Sequence, residues 1–218
     1  SATTLPAAVY THTDQDHIFT SITSSGAAIY ISGYSGIQSN IYKFTLESTG
    51  AMPTLTSAIT AAELPVGETV LKISYYLGYM AIGTSLGMRV ADVSSADGTI
   101  AYGPLLFESD QPVYDFAFRD KYIWAATGVE GQVGVTRVNL GTEISQLVFA
   151  YAFDLYNPAD TLNNYTTACA FIGDTNRLAF CNAGDGVDGA VYIESATELL
   201  AEGYLQTGYI RYNTLENK

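Results

Sequence analysis

Basic residues, histidine, cysteine and tryptophan are all scarce in this chain of 218 residues. It has 9 lysines and arginines against 22 aspartates and glutamates, which gives a net charge of −13. This charge argues against nucleic acid as a partner, because binding to phosphates needs lysine and arginine. It also disfavours an anionic membrane surface. With only 2 cysteines, disulfides are not the main support of the fold.

Long apolar runs are also missing. No stretch approaches the roughly 18 residues that a membrane-spanning helix needs, and the segment 1–4 lacks the basic region of a secretion signal. We therefore expect no membrane insertion. The chain starts without methionine and ends directly after a strand-like run, so we interpret it as a piece of a longer protein. Its acidic composition fits a protein that works outside a cell.

The common motifs of enzyme chemistry are absent: no Gly-rich phosphate loop, GxSxG, HExxH or CxxC pattern occurs. The loop 182–189 spaces oxygen ligands in a way that suits calcium, but it lacks the final glutamate of an EF-hand. Its candidate ligands are Asn182, Asp185 and Asp188. His12 and His17 flank Asp14 and Asp16, a set suited to a transition metal, although histidines around a turn are more often simply solvated. We expect no cofactor, with calcium at the loop 182–189 as the one alternative.

What the chain has in quantity is tyrosine, glycine and short apolar runs. Its 17 tyrosines and 20 glycines, with 48% hydrophobic residues, indicate a globular fold of strands and turns. The segment 111–140 contains three such runs in a row, and the second holds Trp124. Short alternating runs bounded by Gly and Asp turns predict β-hairpins.

This hairpin unit recurs along the chain. The second strands are AAIYISG, GYMAIGT, KYIWAATG and RLAFCNAG, and each runs from a turn to a Gly-containing loop. The units are roughly 43 to 56 residues apart, close to the period of propeller blades. A β-sandwich has no reason to repeat in groups of four. We predict an all-β fold, a β-propeller of four-stranded antiparallel blades, with four repeats in the chain and room for more in a larger ring.

The predicted domain covers 1–212, and 213–218 is a cut end or the start of another segment. A lone strand at 6–11 precedes the first blade. It either closes the ring, in competition with a last strand at 204–212, or indicates further blades. The segment 196–202 is the one helix-like run. The predicted blades are 17–61, 69–107, 112–153 and 165–212.

The two cysteines lie on consecutive predicted strands. Cys169 and Cys181 are at similar distances from the turn 173–176, so they are either two buried free thiols or a cross-strand disulfide.

One face of the predicted propeller collects the loops that join blades and the loops between second and third strands. Loops on a rigid scaffold are where binding usually occurs. The competing interpretation is that these are ordinary solvated turns, in which aspartate is common. The predicted binding residues are Asp14, Asp16, Tyr34, Asp110, Glu130, Asp154, Asp160, Asp185 and Asp188.

The end of the chain carries a resemblance. The segment GYLQTGYIRYNTLENK (203–218), after GAVYIESATELL, resembles the ends of propeller-like domains in bacteriophage tail proteins, either minor tail or tail-tip proteins. There a TG-x-I-R strand starts the next domain, and ATGVEGQVGVTRVNLG (126–141) is similar in style. The resemblance implies an extracellular, non-enzymatic virion domain for structure or host recognition. Its partners would be other tail proteins, a host surface glycan or further copies of the chain.

Two alternatives stay open. One is a secreted carbohydrate-binding propeller, in which tyrosines stack on sugars, although their alternating positions favour packing. The other is a propeller-fold glycoside hydrolase, which needs two carboxylates roughly 5 to 10 Å apart. Asp115 is the one acid within a predicted first strand, and its partner would be Asp16, Glu68 or Asp110. We assign no catalytic residue and expect no enzyme.

Overall fold

The computed structural model describes residues 7–26, 28–45, 58–129, 131–156, 164–173, 176–184, 187–197 and 205–206. In this part of the chain no helix is long and apolar enough to cross a membrane. The strands are β1 Ile18–Ser25, β2 Ala28–Ser35, β3 Gln38–Thr45, β4 Ile59–Glu63, β5 Val70–Tyr76, β6 Tyr79–Thr84, β7 Gly87–Val93, β8 Ile100–Glu108, β9 Phe116–Arg119, β10 Tyr122–Val129, β11 Gln132–Ser145, β12 Val148–Tyr156, β13 Asn164–Ile172, β14 Arg177–Gly184, β15 Val187–Ile193 and β16 Leu205–Gln206.

These strands form four antiparallel sheets. The first is β1-β2-β3-β4, the second β5-β6-β7-β8, the third β16-β12-β11-β10-β9 and the fourth β13-β14-β15. Apart from β16, strands that follow each other in the chain are neighbours in the sheet, as short hairpin connections require. The predicted all-β fold of antiparallel groups is therefore confirmed.

Local turn chemistry explains the first hairpin of the second sheet. Leu77 and Gly78 both have positive φ, at 52° and 91°, between the paired residues Tyr76 and Tyr79. Two successive residues with positive φ make the type I′ turn, whose twist matches that of the flanking strands.

The four sheets share one register between their first and second strands. To compare the sheets, we take the fourth residue of each second strand and identify the first-strand residue that pairs with it. The pairs are Ile22↔Ile31, Ile73↔Ile82, Phe116↔Ala125 and Cys169↔Phe180. The sheets are therefore structural repeats, and residues at the same register position can be compared directly.

The sheets pack face to face in chain order. Tyr30 and Ile41 of the first sheet share an apolar core with Ile73 of the second. A second core joins the second and third sheets, and a third joins Trp124 and its neighbours to Leu178 in the fourth. Burial of each such large side chain stabilises the fold by about 1.5–3 kcal/mol. Along this stack, the first strands β1, β5, β9 and β13 contact one another in succession.

Two strand predictions are wrong. Of the last predicted strand, 204–212, the structure describes Leu205–Gln206, which pairs with β12 of the third sheet and not with the fourth sheet. An alternating pattern predicts a strand but does not say which free edge it joins. Residues 7–11 of the lone strand are not in a sheet. Residues 198–202 of the helix-like run and the segment 207–218 lie outside the described residues.

The cysteines are not bonded. Cys169 pairs with Phe180, whereas Cys181 pairs with Ala168, so the two are one register step apart and their side chains point to opposite faces. Cys169 is buried between the third and fourth sheets, and both thiols are free. The disulfide alternative is therefore wrong. The two cysteines are at similar distances from the turn, but they do not pair with each other across the two strands.

Candidate functional site

Hydrogen bonds join the connecting loops into one surface, which we call the connection face. It comprises residues 13–17, 36–37, 64–69, 85–86, 109–115 and Gly131. Gly67 N–H donates to the Ile37 carbonyl at 2.9 Å, and Ser109 N–H donates to the Leu86 carbonyl at 3.0 Å. Loops between sheets thus alternate with turns between second and third strands, as the sequence predicted for this face.

Asp14 and Asp16 lie together at one end of the connection face. The Asp16 N–H donates to Asp14 Oδ1 at 3.0 Å. A hydrogen bond from the Ser35 hydroxyl and this amide lower the pKa of Asp14, whose carboxylate is fully exposed. Tyr34 is next to Ser35 at the end of β2, where its backbone pairs with Ile18 and Ser39. The structure therefore brings Asp14 and Asp16 to one end of the face and places Tyr34 beside it, near the end of β2.

Asp110 holds two loops of the face together. Its Oδ2 accepts a hydrogen bond from Gly131 N–H at 2.8 Å, and its own N–H donates to the Gly128 carbonyl at 2.7 Å. Ser109 Oγ also accepts from Gly128 N–H at 3.0 Å. The carboxylate of Asp110 therefore orders a loop in addition to contributing charge to the face.

Asp154 differs from its prediction. It lies within β12 rather than in the connection after it. Its Oδ2 accepts from Trp124 Nε1 at 2.9 Å, and its Oδ1 lies 3.4 Å from Arg137 Nη2. The strand extends to Tyr156 because β12 pairs with β11 up to that residue. The sequence around Asp154 does not by itself indicate how far this pairing extends. Asp154 is thus part of the third sheet and satisfies the buried indole of Trp124.

The predicted calcium ligands are only partly described. Asn182 lies in β14, is buried, and its Oδ1 accepts from the Thr166 hydroxyl at 2.9 Å. Asn182 therefore lies in the central strand of the fourth sheet, between β13 and β15, and not in the predicted loop. Asp188 falls within β15, and its side chain lies outside the described part. Glu130, Asp160 and Asp185 also lie outside it.

Asp115 lies where three sheets meet. Its Oδ1 is 2.9 Å from Lys72 Nζ in β5, and its Oδ2 accepts from the backbone N–H of Cys169 in β13 at 3.2 Å. Its carbonyl accepts from Ala126 N–H in β10 at 3.0 Å. The acid that the sequence placed on a first strand thus connects the second, third and fourth sheets. Lys72 carried no sequence signal for this role, because its proximity depends on sheet stacking.

Glu68, a second acid considered for catalysis, is buried in an ion pair. Only 1% of it is exposed, and both its carboxylate oxygens accept from Arg89 at 2.8–3.1 Å. Arg89 also donates to the Gly103 carbonyl at 2.9 Å and lies over the Tyr102 ring. This bidentate geometry matches the fork of a guanidinium to a carboxylate.

The two histidines form an aromatic cluster beside the connection face. The rings of His12 and His17 stack at 4.0 Å, and His12 Nε2 lies 3.0 Å from the Tyr42 hydroxyl. Burial, with the nearby His12, lowers the pKa of His17, and its buried Nε2 has no hydrogen-bond partner. Among the described residues no group of three or more His, Cys, Asp or Glu side chains could hold a metal.

Exposed apolar side chains on the connection face were not predicted. Ile37, Val66 and Leu86 belong to three successive loops of the face and are among the most exposed large apolar residues. Composition gave no signal for them, because a single apolar residue in a turn is common. Only the hydrogen bonds between the loops show that they share a surface.

Comparisons with known proteins show similarity of fold alone. No protein-family model matches the chain, and no curated protein matches it in sequence. A computationally designed protein, Ika4, has 9% identity and a TM-score of 0.51, over 86% of this chain and 98% of that one. The β-propeller domain of Myceliophteria thermophila Cps50 (Swd1) has 14% identity and a TM-score of 0.45, over 84% of this chain and 55% of that one.

Proposed function

We propose that the four sheets are blades of a β-propeller. The observation that carries this proposal is the shared register of the sheets together with their stacking in chain order, which places the first strand of each sheet against the next. Sheets of about four antiparallel strands arranged in this way are the repeating unit of a propeller.

We further propose that this propeller is a non-enzymatic domain of a phage tail, which contacts other virion proteins or the host surface. The resemblance of 203–218 to tail proteins motivates the proposal. The roles of the carboxylates support a structural function, because Asp115 and Glu68 are engaged in ion pairs with Lys72 and Arg89.

The chemistry of the connection face indicates the kind of partner. Asp14, Asp16 and Asp110 supply negative charge, and no lysine or arginine occurs in the residues that define the face. Ile37 and Val66 add exposed apolar area next to them. A protein surface with basic residues around an apolar centre would complement this face, because opposite charges steer association and fix register.

Immunoelectron microscopy tests the tail assignment. Antibody raised against the purified chain should decorate the tails of particles from the phage that encodes it, and antibody absorbed with the chain serves as the control. A second antibody, against a known tail protein, shows that tails are present and accessible. Tails that bind this second antibody but not the antibody against the chain would refute the assignment. Purified chain should also compete with intact particles for adsorption if the contact is with the host.

The enzymatic alternative makes a different prediction. A glycoside hydrolase that used Asp115 would lose turnover in an Asp115→Asn variant. We expect no turnover of a panel of aryl glycosides by the unaltered chain. Turnover that the variant abolishes while retaining its fold would contradict the non-enzymatic proposal.

One observation favours a carbohydrate-binding propeller as the second candidate. Tyr114 and Tyr165, at the starts of neighbouring first strands, are both exposed, and their rings are 6.1 Å apart. Exposed tyrosine rings can stack on sugars. Binding on a glycan array that the Tyr114→Ala variant loses would favour this candidate over a protein-contacting tail domain.

A further inference from the structure

The first sheet exposes a position that every other sheet buries. Ile22 is 65% exposed, whereas Ile73, Phe116 and Cys169 at the same register position are 0%, 6% and 4% exposed. Each of these three faces the preceding sheet in the stack. Phe19, on the same face as Ile22, is also exposed. In the described part of the chain, no sheet covers this packing face of the first sheet.

The fourth sheet exposes the opposite half of such an interface. Val191 is 68% exposed, whereas its register counterparts Ile41, Met88 and Val135 are each fully buried against the following sheet. Ile193, on the same face, is also exposed. In the described part of the chain, the first and fourth sheets share no apolar core.

The first two strands of the two open faces carry side chains of complementary size. Phe19, Ile22 and Ile31 give the first sheet's open face large side chains. On the open face of the fourth sheet, register pairing groups the small side chains Ala168, Ala170, Ala179 and Cys181. Large side chains set against small ones let facing layers interdigitate at the density of a protein core.

An interface within the chain shows how the two faces would meet. Cys169, the counterpart of Ile22, packs among Ala117, Trp124 and Ala126 of the third sheet. The counterparts of those three residues on the fourth sheet, by register, are Ala170, Ala179 and Cys181. Ile22 would therefore insert among these small residues if the fourth sheet packed on the first.

The segment before β1 supports the same arrangement. Tyr10 packs on Phe44 in the third strand of the first sheet, with ring centroids 5.2 Å apart. Phe107, in the fourth strand of the second sheet, lies in one apolar core with Val138, the register counterpart of Phe44 in the third sheet. Tyr10 thus lies where the fourth strand of a preceding sheet would lie. The fourth sheet has three strands among the described residues, so its edge can accept such a strand.

We propose that two copies of this chain associate head to tail, with the fourth sheet of each packed on the first sheet of the other. This proposal rests on the propeller stacking proposed above and not on the tail assignment. Each copy has one open face on its first sheet and one on its fourth sheet, so a pair of copies covers all four open faces. The ring of two four-sheet copies stays within the roughly 4 to 8 blades of known propellers, whereas three copies would exceed it.

The solution mass tests this pairing. Light scattering after size-exclusion chromatography should give about twice the chain mass of 23.4 kDa. Ile22→Asp and Val191→Asp should each give the monomer mass, because a buried unpaired carboxylate strongly opposes association. Leu77→Asp, at an exposed turn outside both faces, is the matched control and should remain a dimer. A monomeric unaltered chain with native circular dichroism would overturn the pairing and leave the stack of sheets intact.

A disulfide trap tests which faces meet. Ile22→Cys introduces a thiol that should meet Cys181 of the second copy, so mild oxidation by copper phenanthroline should give a covalent dimer on a non-reducing gel. The added change Cys181→Ser should abolish it. An internal disulfide in a monomer would show that the chain closes its own ring, and it would overturn the proposal that a second copy binds. A ladder of larger species would show that copies form an open filament, and it would overturn the closed pair.

Discussion

Lys72 and Asp115 form a 2.9 Å ion pair between the second and third sheets, and Asp115 also accepts the backbone N–H of Cys169 in the fourth. One carboxylate therefore connects three successive sheets. A residue that the sequence singled out as an acid on a first strand acts in the structure as a link in the stack.

Loss of this link should destabilise the fold. We expect Asp115→Ala to lower the free energy of unfolding by about 1–3 kcal/mol, because it removes a charge-assisted hydrogen bond and a partly exposed ion pair that is itself worth little. Urea unfolding followed by circular dichroism measures the change. Asp92→Ala, at an exposed strand position, is the control and should change stability much less. Equal effects of the two substitutions would contradict this role of Asp115.

The buried pair of Glu68 and Arg89 should show strong non-additivity. Glu68→Met should cost about 3–5 kcal/mol, because it leaves the Arg89 guanidinium buried without its carboxylate. Glu68→Met combined with Arg89→Met should cost less than either single change, since two apolar side chains replace the pair. Urea midpoints of the three variants test this, and a double variant less stable than both singles would refute it.

Stability should fall in mild acid because of His17. Burial, with the nearby His12, holds the pKa of this histidine below its ordinary value of 6.5 in the folded chain. A depressed histidine pKa contributes stability that is complete above pH 6.5 and declines as the pH falls below it. Asp14 slightly opposes this shift, and its own lowered pKa acts only in a lower range, around and below pH 3.8.

The measurement compares urea midpoints at pH 7.5 and pH 5. The unaltered chain should lose stability between these values, and His17→Phe should reduce the loss, since it retains an aromatic ring against Phe19 without a titrating group. An unchanged pH dependence in His17→Phe would show that another group is responsible.

Gly83 should not tolerate a side chain. A Cβ at this position would lie 2.5 Å from the Val113 carbonyl oxygen, which is backbone in the connection between the second and third sheets. Gly83→Ala should therefore cost about 1–3 kcal/mol through a forced backbone shift. Gly189→Ala is the control, since the nearest atom there is 3.5 Å away and its φ is not positive. Thermal melts of both variants provide the comparison, and equal melting temperatures would contradict the close approach.

Much of the fold was predictable because its information is local. Two-residue turns such as Leu77–Gly78 and short apolar runs such as 122–126 specify hairpins from adjacent residues alone. Repetition of the hairpins then predicted the grouping into sheets. The partner of Leu205–Gln206 was not predictable, because any free sheet edge can accept a short strand.

The candidate site divides in the same way. Asp14, Asp16 and Asp110 were identified from loop position, and they lie on the connection face. Asp154 was misplaced, since its strand is lengthened by pairing with β11.

By itself, the sequence determined most of the strands, their hairpin turns and their grouping into antiparallel repeats, because each depends on residues close in the chain. Only the tertiary structure decided that Asp115 meets Lys72 and that Cys169 and Cys181 face opposite ways. It also decided that Ile22 and Val191 are exposed where their counterparts are buried. These features depend on which faces of distant sheets pack together, and a two-residue alternation specifies that each strand has two faces but not what covers them.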